Sequence, residues 1–153
     1  MDLNGNLSKN VKITIGMTPA TDGDAGTTDI ACDELDMSGW DNVLMIVAFG
    51  AITGSAVTSI KAQQDTVTGM GSAADLLGTS QTVADSDDNK VFYIDLCRPM
   101  ERFVRCYIDR ATQNAVVSSV LYVQYNGNSV KLPPSHGTGV SGEVHNEPVE
   151  GTA

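Results

Sequence analysis

Three strand-like segments, VFYIDL, RFVRCYIDR and AVVSSVLYVQY, fall between Val91 and Tyr125, with only short breaks around Pro99 and Thr112-Gln113-Asn114. Parallel neighbours need a crossover of about a dozen residues or more, normally a helix, and no such length separates these segments. The spacing therefore predicts antiparallel pairing. In the middle segment Val104, Cys106 and Ile108 share one face, and Phe103, Arg105, Tyr107 and Asp109 share the other. The second face mixes rings with charge and reads as partly exposed or interfacial. In the last segment Val117, Leu121, Val123 and Tyr125 are expected on one face, interrupted by Ser119.

The rest of the chain reads in the same idiom. Asn10 to Gly16 alternates, with Val11, Ile13 and Ile15 expected against the core. Val43 to Phe49 is apolar on both faces, the pattern of a central strand covered on both sides. Ala56 to Gln64 alternates again and reads as a strand returning beside it. Residues 72–77 (SAADLL) suggest one short helix capped by Ser72. Abundant turn formers separate these pieces. Six or seven strands with at most one short helix predict an all-β domain, an antiparallel β-sandwich or a jelly-roll-like barrel, over residues 1–134. Beyond it, Pro133-Pro134 and a glycine-rich closing stretch mark residues 135–153 as an extended arm. Within the arm Val140, Val144 and Val149 could add a strand to a neighbour.

Catalytic chemistry is hard to assemble from this sequence. His136 and His145 are the only histidines and both fall in the arm, away from any placed nucleophile and orienting acid. Asp85-Ser86-Asp87-Asp88-Asn89 begins like a calcium loop, but Lys90 stands where glycine is required, so these acids read as turn formers. Gly69-Met70-Gly71-Ser72-Ala73-Ala74 mimics a dinucleotide turn without the preceding buried strand. The expectation is a protein that is not an enzyme, with no cofactor and no metal. The three cysteines lack a CxxC pair, and Cys97 and Cys106 are expected to be small buried side chains. Trp40 is either a plug at the core edge or an interface anchor.

Charge narrows the partners. The formal net charge is −10, from 19 acidic and 9 basic residues, which disfavours nucleic acid. No apolar run approaches a membrane span, and the start MDLNGNLSKN has no signal-peptide pattern. Residues 101–134 are mildly basic, with Arg102, Arg105, Arg110 and Lys131 against Glu101 and Asp109. Together with Arg98, Phe103 and Tyr107 these arginines form a candidate contact surface.

The segments GWDNVLMIVAFGAITGSAVTSIKAQQ, DLLGTSQTVADSDDNKVFYIDLCRP and RFVRCYIDRATQNAVVSSVLYVQYN, with the closing EVHNEPVEGTA, resemble a family of small tailed-bacteriophage virion proteins. The likeness runs from about Asn10 to Ala153 and carries no defining site motif. It implies a capsid decoration, or cement, protein encoded near the major capsid protein and made in the host cytoplasm. Its expected partners are the major capsid protein and itself, as a homotrimer on the capsid surface. Alternatives are a head-fibre base, a tail protein, or a β-sandwich surface-binding module.

Overall fold

The computed structural model describes residues 5–18, 24–145 and 150. Among the described residues ten strands form two antiparallel sheets packed face to face, an open sandwich rather than a closed barrel. The four-stranded sheet has the order β1 (Val11–Ile15), β10 (Ala115–Gly127), β4 (Trp40–Ile52), β8 (Val91–Cys97). The second sheet is built on β9 (Phe103–Ala111) and β5 (Val57–Asp65). Two short strands, β2 (Ile30–Ala31) and β3 (Leu35–Asp36), line the outer edge of β9. Another two, β6 (Ala74–Asp75) and β7 (Gln81–Val83), line the outer edge of β5. The only helical element among the described residues is a 3-10 turn at Leu7–Lys9.

Every strand pair is antiparallel, as the short connections require. The strands from Val91 to Tyr125 do not pair with each other, however. β8 pairs with β4, β9 with β5, and β10 with both β1 and β4. The chain changes sheet at each break, a step of about 10 Å. Left-handed backbone at Arg98 (φ 52°) and Thr112 (φ 70°) turns it at the two corners. By the same logic β5 crosses to the other layer instead of returning beside β4.

The core lies between the layers. From the four-stranded sheet come Val43, Met45, Val47, Val117, Val120 and Tyr122; from the other come Ile60, Ala62, Val104, Cys106 and Ile108. The single tryptophan closes one end of this core. Trp40 is buried, and a Cβ on Gly127 would sit 2.7 Å from its ring, so the close approach requires glycine there. Tyr122 also ties the layers together. Its hydroxyl accepts the Cys106 N–H at 2.9 Å, in the stretch of β9 between its pairings with β2 and β3. Complete burial, with the buried Cys32 and Cys106 thiols nearby, pushes the phenol well above its ordinary range, so the group is a neutral hydrogen-bonding strut.

Several expectations are corrected by the register. A bulge between Val117 and Ser119 shifts the alternation of β10. Val117 therefore points inward with Val120 and Tyr122, while Leu121, Val123 and Tyr125 point outward. In β1 the inward residues are Lys12 and Thr14, opposite the buried Gln124 and Tyr122. Val11, Ile13 and Ile15 face away from the inter-sheet core. Residues 72–77 are not helical: Ala74 and Asp75 pair with β5, and the Gln63 amide donates to Asp75 at 2.7 Å. Edge pairing has overridden local helix propensity. Cys97 is exposed at the end of β8, whereas Cys32 and Cys106 are buried.

Candidate interaction surfaces

Three surfaces follow from this frame: the outer face of each sheet, and the tip that joins β8 to β9.

The outer face of the β5–β9 sheet carries the ring-and-charge pattern read from the sequence. Phe103, Arg105, Tyr107 and Asp109 alternate with the core residues of β9 and lie half-buried beside Lys61 and Gln63 of β5. Their charges are answered within the chain. Arg102, exposed just before β9, donates to both oxygens of Asp36 at 2.9 and 2.8 Å. Arg105 donates to the Gln63 side chain at 2.8 Å. Lys61 pairs with Asp75 at 3.1 Å and Asp109 at 3.5 Å, and its ammonium lies 5.0 Å from the Tyr107 ring centre. The Arg102 guanidinium holds the Asp36 carboxyl below the usual carboxylate range; Gln63 and then Lys61 do the same for Asp75. Burial, with Asp29 and Asp109 nearby, raises the Tyr107 phenol. This is a saturated polar lattice, not a basic patch awaiting an acidic partner.

Arg110 does not belong to that surface. It is only 6% exposed and follows Val104, Cys106 and Ile108 on the inward side of β9. Its guanidinium donates to the backbone carbonyls of Thr28 (2.7 Å), Asp24 (2.8 Å) and Ala115 (2.9 Å). It fixes the segment leading into β2 against the start of β10. Trp40, another candidate contact, is likewise inside.

The outer face of the four-stranded sheet has a different composition. Paired residues form rows: Ile13, Val123, Leu44 and Asp95; then Ile15, Leu121, Ile46 and Tyr93; then Ser119, Ala48 and Val91. Most are half-buried, while Val91 is 61% and Tyr93 64% exposed at the β8 edge. Antiparallel sheets usually pair an apolar inner face with a polar outer one. This face is apolar, and among the described residues no second layer of strands lies over it; the arm touches only its β1 side, where Gly139 approaches Ile15. The doubly apolar pattern of Val43 to Phe49 is present, but only one of its faces is covered by the sandwich.

The third surface is the β8–β9 tip. Arg98 is exposed; its backbone N–H donates to the Asp41 carbonyl at 2.8 Å, while its guanidinium makes no hydrogen bond or ion pair among the described residues. Beside it Met100 is 93% exposed, and Leu77 across a shallow cleft is fully exposed. An arginine flanked by unburied apolar side chains has the make-up of an interface anchor.

The start of the arm lies on its own chain. The Ile13 N–H donates to His136 Nδ1 at 3.1 Å, and the Gly137 N–H donates to the Ile13 carbonyl at 2.8 Å. This bridges the free edge of β1. Val140 and Val144 follow, lining a cleft with Ile13. Val149 lies outside the described residues.

The acids of residues 85–88 are turn formers. Asp88 accepts the Ile52 N–H at 2.6 Å, Asp85 that of Ser55 at 2.9 Å, and Asp87 that of Ala84 at 2.9 Å. Among the described residues no group of three His, Cys, Asp or Glu side chains is placed to hold a metal ion. The sequence singled out the arginines because they stand out in an acidic chain. It missed the apolar sheet face, whose signal was the absence of alternation in β4 together with the outward Ile13 and Ile15. Fold and surfaces define a class: an antiparallel β-sandwich with one polar outer face, one apolar outer face and a trailing arm. Compared with protein-family models, curated proteins and solved structures, the chain finds no match in any of the three.

Proposed function

We propose that this chain is a structural virion protein, a capsid decoration protein that binds the outer surface of the major capsid lattice and stabilises the head as a homo-oligomer. The resemblance in sequence supplies the setting. The observation that carries the reading is the distribution of unsatisfied surface: apolar groups and Arg98 are left exposed, while the carboxylates of the turns and of the β5–β9 face are committed within the fold. Such a surface suits lasting contact. The Arg98–Met100 tip, projecting at the Trp40 end with Leu77 beside it, is the part that reaches the capsid. It replaces the β9 face as the favoured contact, because Arg102 and Arg105 already have partners and Arg110 is buried. Repetition on a lattice multiplies a modest contact through effective concentration.

The experiment is imaging of virions beside particles made without this protein. The reading expects loss of surface density from otherwise intact heads and lower resistance to heat and osmotic shock. Full decoration of the head by another component, or intact heads with missing tails, would overturn it.

A further inference from the structure

The two outer faces of the sandwich form an internal comparison, since the same chain builds both. One presents Lys61, Gln63, Arg105 and Asp109, each bonded to a neighbour. The equivalent layer of the other presents Ile13, Leu44, Ile46, Leu121 and Val123. Solvent can explain the first arrangement and not the second. Four strands about 4.8 Å apart, each about seven residues long at about 3.4 Å per residue, span roughly 450 Å². That is as large as the largest apolar patch on a typical monomer, about 300–600 Å².

We propose that copies of this chain associate with each other through the outer face of the β1–β10–β4–β8 sheet. The inference does not depend on the virion reading. Charge selects the occupant. With a net charge of −10, two copies repel over most of their surface. The apolar rows carry no lysine or arginine, and their one carboxylate, Asp95, lies at the Trp40 end and accepts the Tyr125 hydroxyl at 2.7 Å. Two copies can therefore meet here with the least repulsion. A basic partner would gain nothing from this face and would dock on the acidic remainder. Area agrees with the choice. Two such faces, with Val91 and Tyr93 included, bury about 900 Å², and Val140 and Val144 beside Ile13 bring this to roughly the 1,000 Å² of a specific contact. The association is face-on at the β1 side, because His136 and Gly137 already occupy the backbone groups of Ile13.

The test is sedimentation analysis of the full chain across a wide concentration range. The account expects a multiple of 16.1 kDa that dissociates on dilution. It also expects association to strengthen with added salt, since screening removes the repulsion between acidic copies. Tyr93→Lys and Val91→Lys change side chains that already meet solvent, so the fold is retained, and like charges across the contact weaken association by about tenfold or more. Leu44→Lys should do the same, with the near-ultraviolet circular dichroism confirming a folded chain. Thr82→Lys, the same charge change at an exposed position of the opposite sheet, should leave association undiminished. A monomer at every concentration overturns the proposal. So does an oligomer indifferent to the β8 and β4 variants, or one that salt dissolves.

Discussion

Arg102 and Arg110 sit at the two ends of β9 and behave in opposite ways. Arg102 meets Asp36 in an exposed, bidentate pair, where water and salt screen the attraction. Arg110 is enclosed and holds three backbone carbonyls from two segments. Removing a buried donor leaves its acceptors desolvated and unpaired. Arg110→Ala is therefore expected to cost about 2–4 kcal/mol of unfolding free energy. Arg102→Ala should leave the denaturant midpoint nearly unchanged. Urea titrations of the two variants check this, and a larger loss for Arg102 would contradict the assignment. The distinction was legible in part. Arg110 has the same parity as Val104, Cys106 and Ile108, so alternation alone places it inward. The basic character of the stretch drew attention away from parity. What lay beyond the sequence is the set of carbonyls it binds, since Thr28 and Asp24 are distant in the chain.

Among the elements, turns held by carboxylates are the recurring device. Asp65 is buried and accepts the N–H groups of Val67 and Ser72 at 3.1 and 2.9 Å, closing the loop between β5 and β6. Those bonds hold its carboxyl below the ordinary value despite burial; Lys90 and the Ala84 N–H do the same for Asp87. A depressed folded-state pKa means that the unfolded chain binds the proton more readily. The stabilisation is then complete above about pH 4, the unfolded value, and drains away as pH falls through the lower folded values. At the alkaline end burial, with Asp95 alongside, pushes Tyr125 up to about 12. Its raised pKa leaves stability intact below about pH 10 and reduces it as pH climbs towards the folded value. Denaturant midpoints should thus be level from about pH 5 to 9 and fall on both sides. A maximum near the acidic isoelectric point would show that net charge, not these turns, governs stability.

The elements also mark the limit of what the sequence discloses. Alternation located β1, β5, β8, β9 and β10, and an apolar run located β4, because side-chain pattern is a local property. Which strand pairs with which was not local. Short breaks after Cys97 and Ala111 look like hairpin turns and act as corners between layers. The bulge before Ser119 is equally silent, and it reversed the expected facing of Val117 relative to Leu121. The segment SAADLL looked helical until the β5 edge, with Lys61 and Gln63 waiting for Asp75, is considered.

At the scale of the whole molecule, the sandwich is lopsided. One outer face is a closed network of polar partners, and the other is an apolar sheet bordered by the start of the arm. Val43 to Phe49 has the composition of a strand covered on both sides, and a single copy covers it on one. The central claim is that the second cover comes from another copy. Hydroxyl-radical footprinting of the folded chain at high and at low concentration tests it residue by residue. The account predicts that Tyr93, Leu121 and Leu44 are modified more slowly at high concentration, while Phe103 and Tyr107 on the opposite face react equally in both samples. Equal reactivity of Tyr93 at the two concentrations, or protection confined to Phe103 and Tyr107, would contradict it.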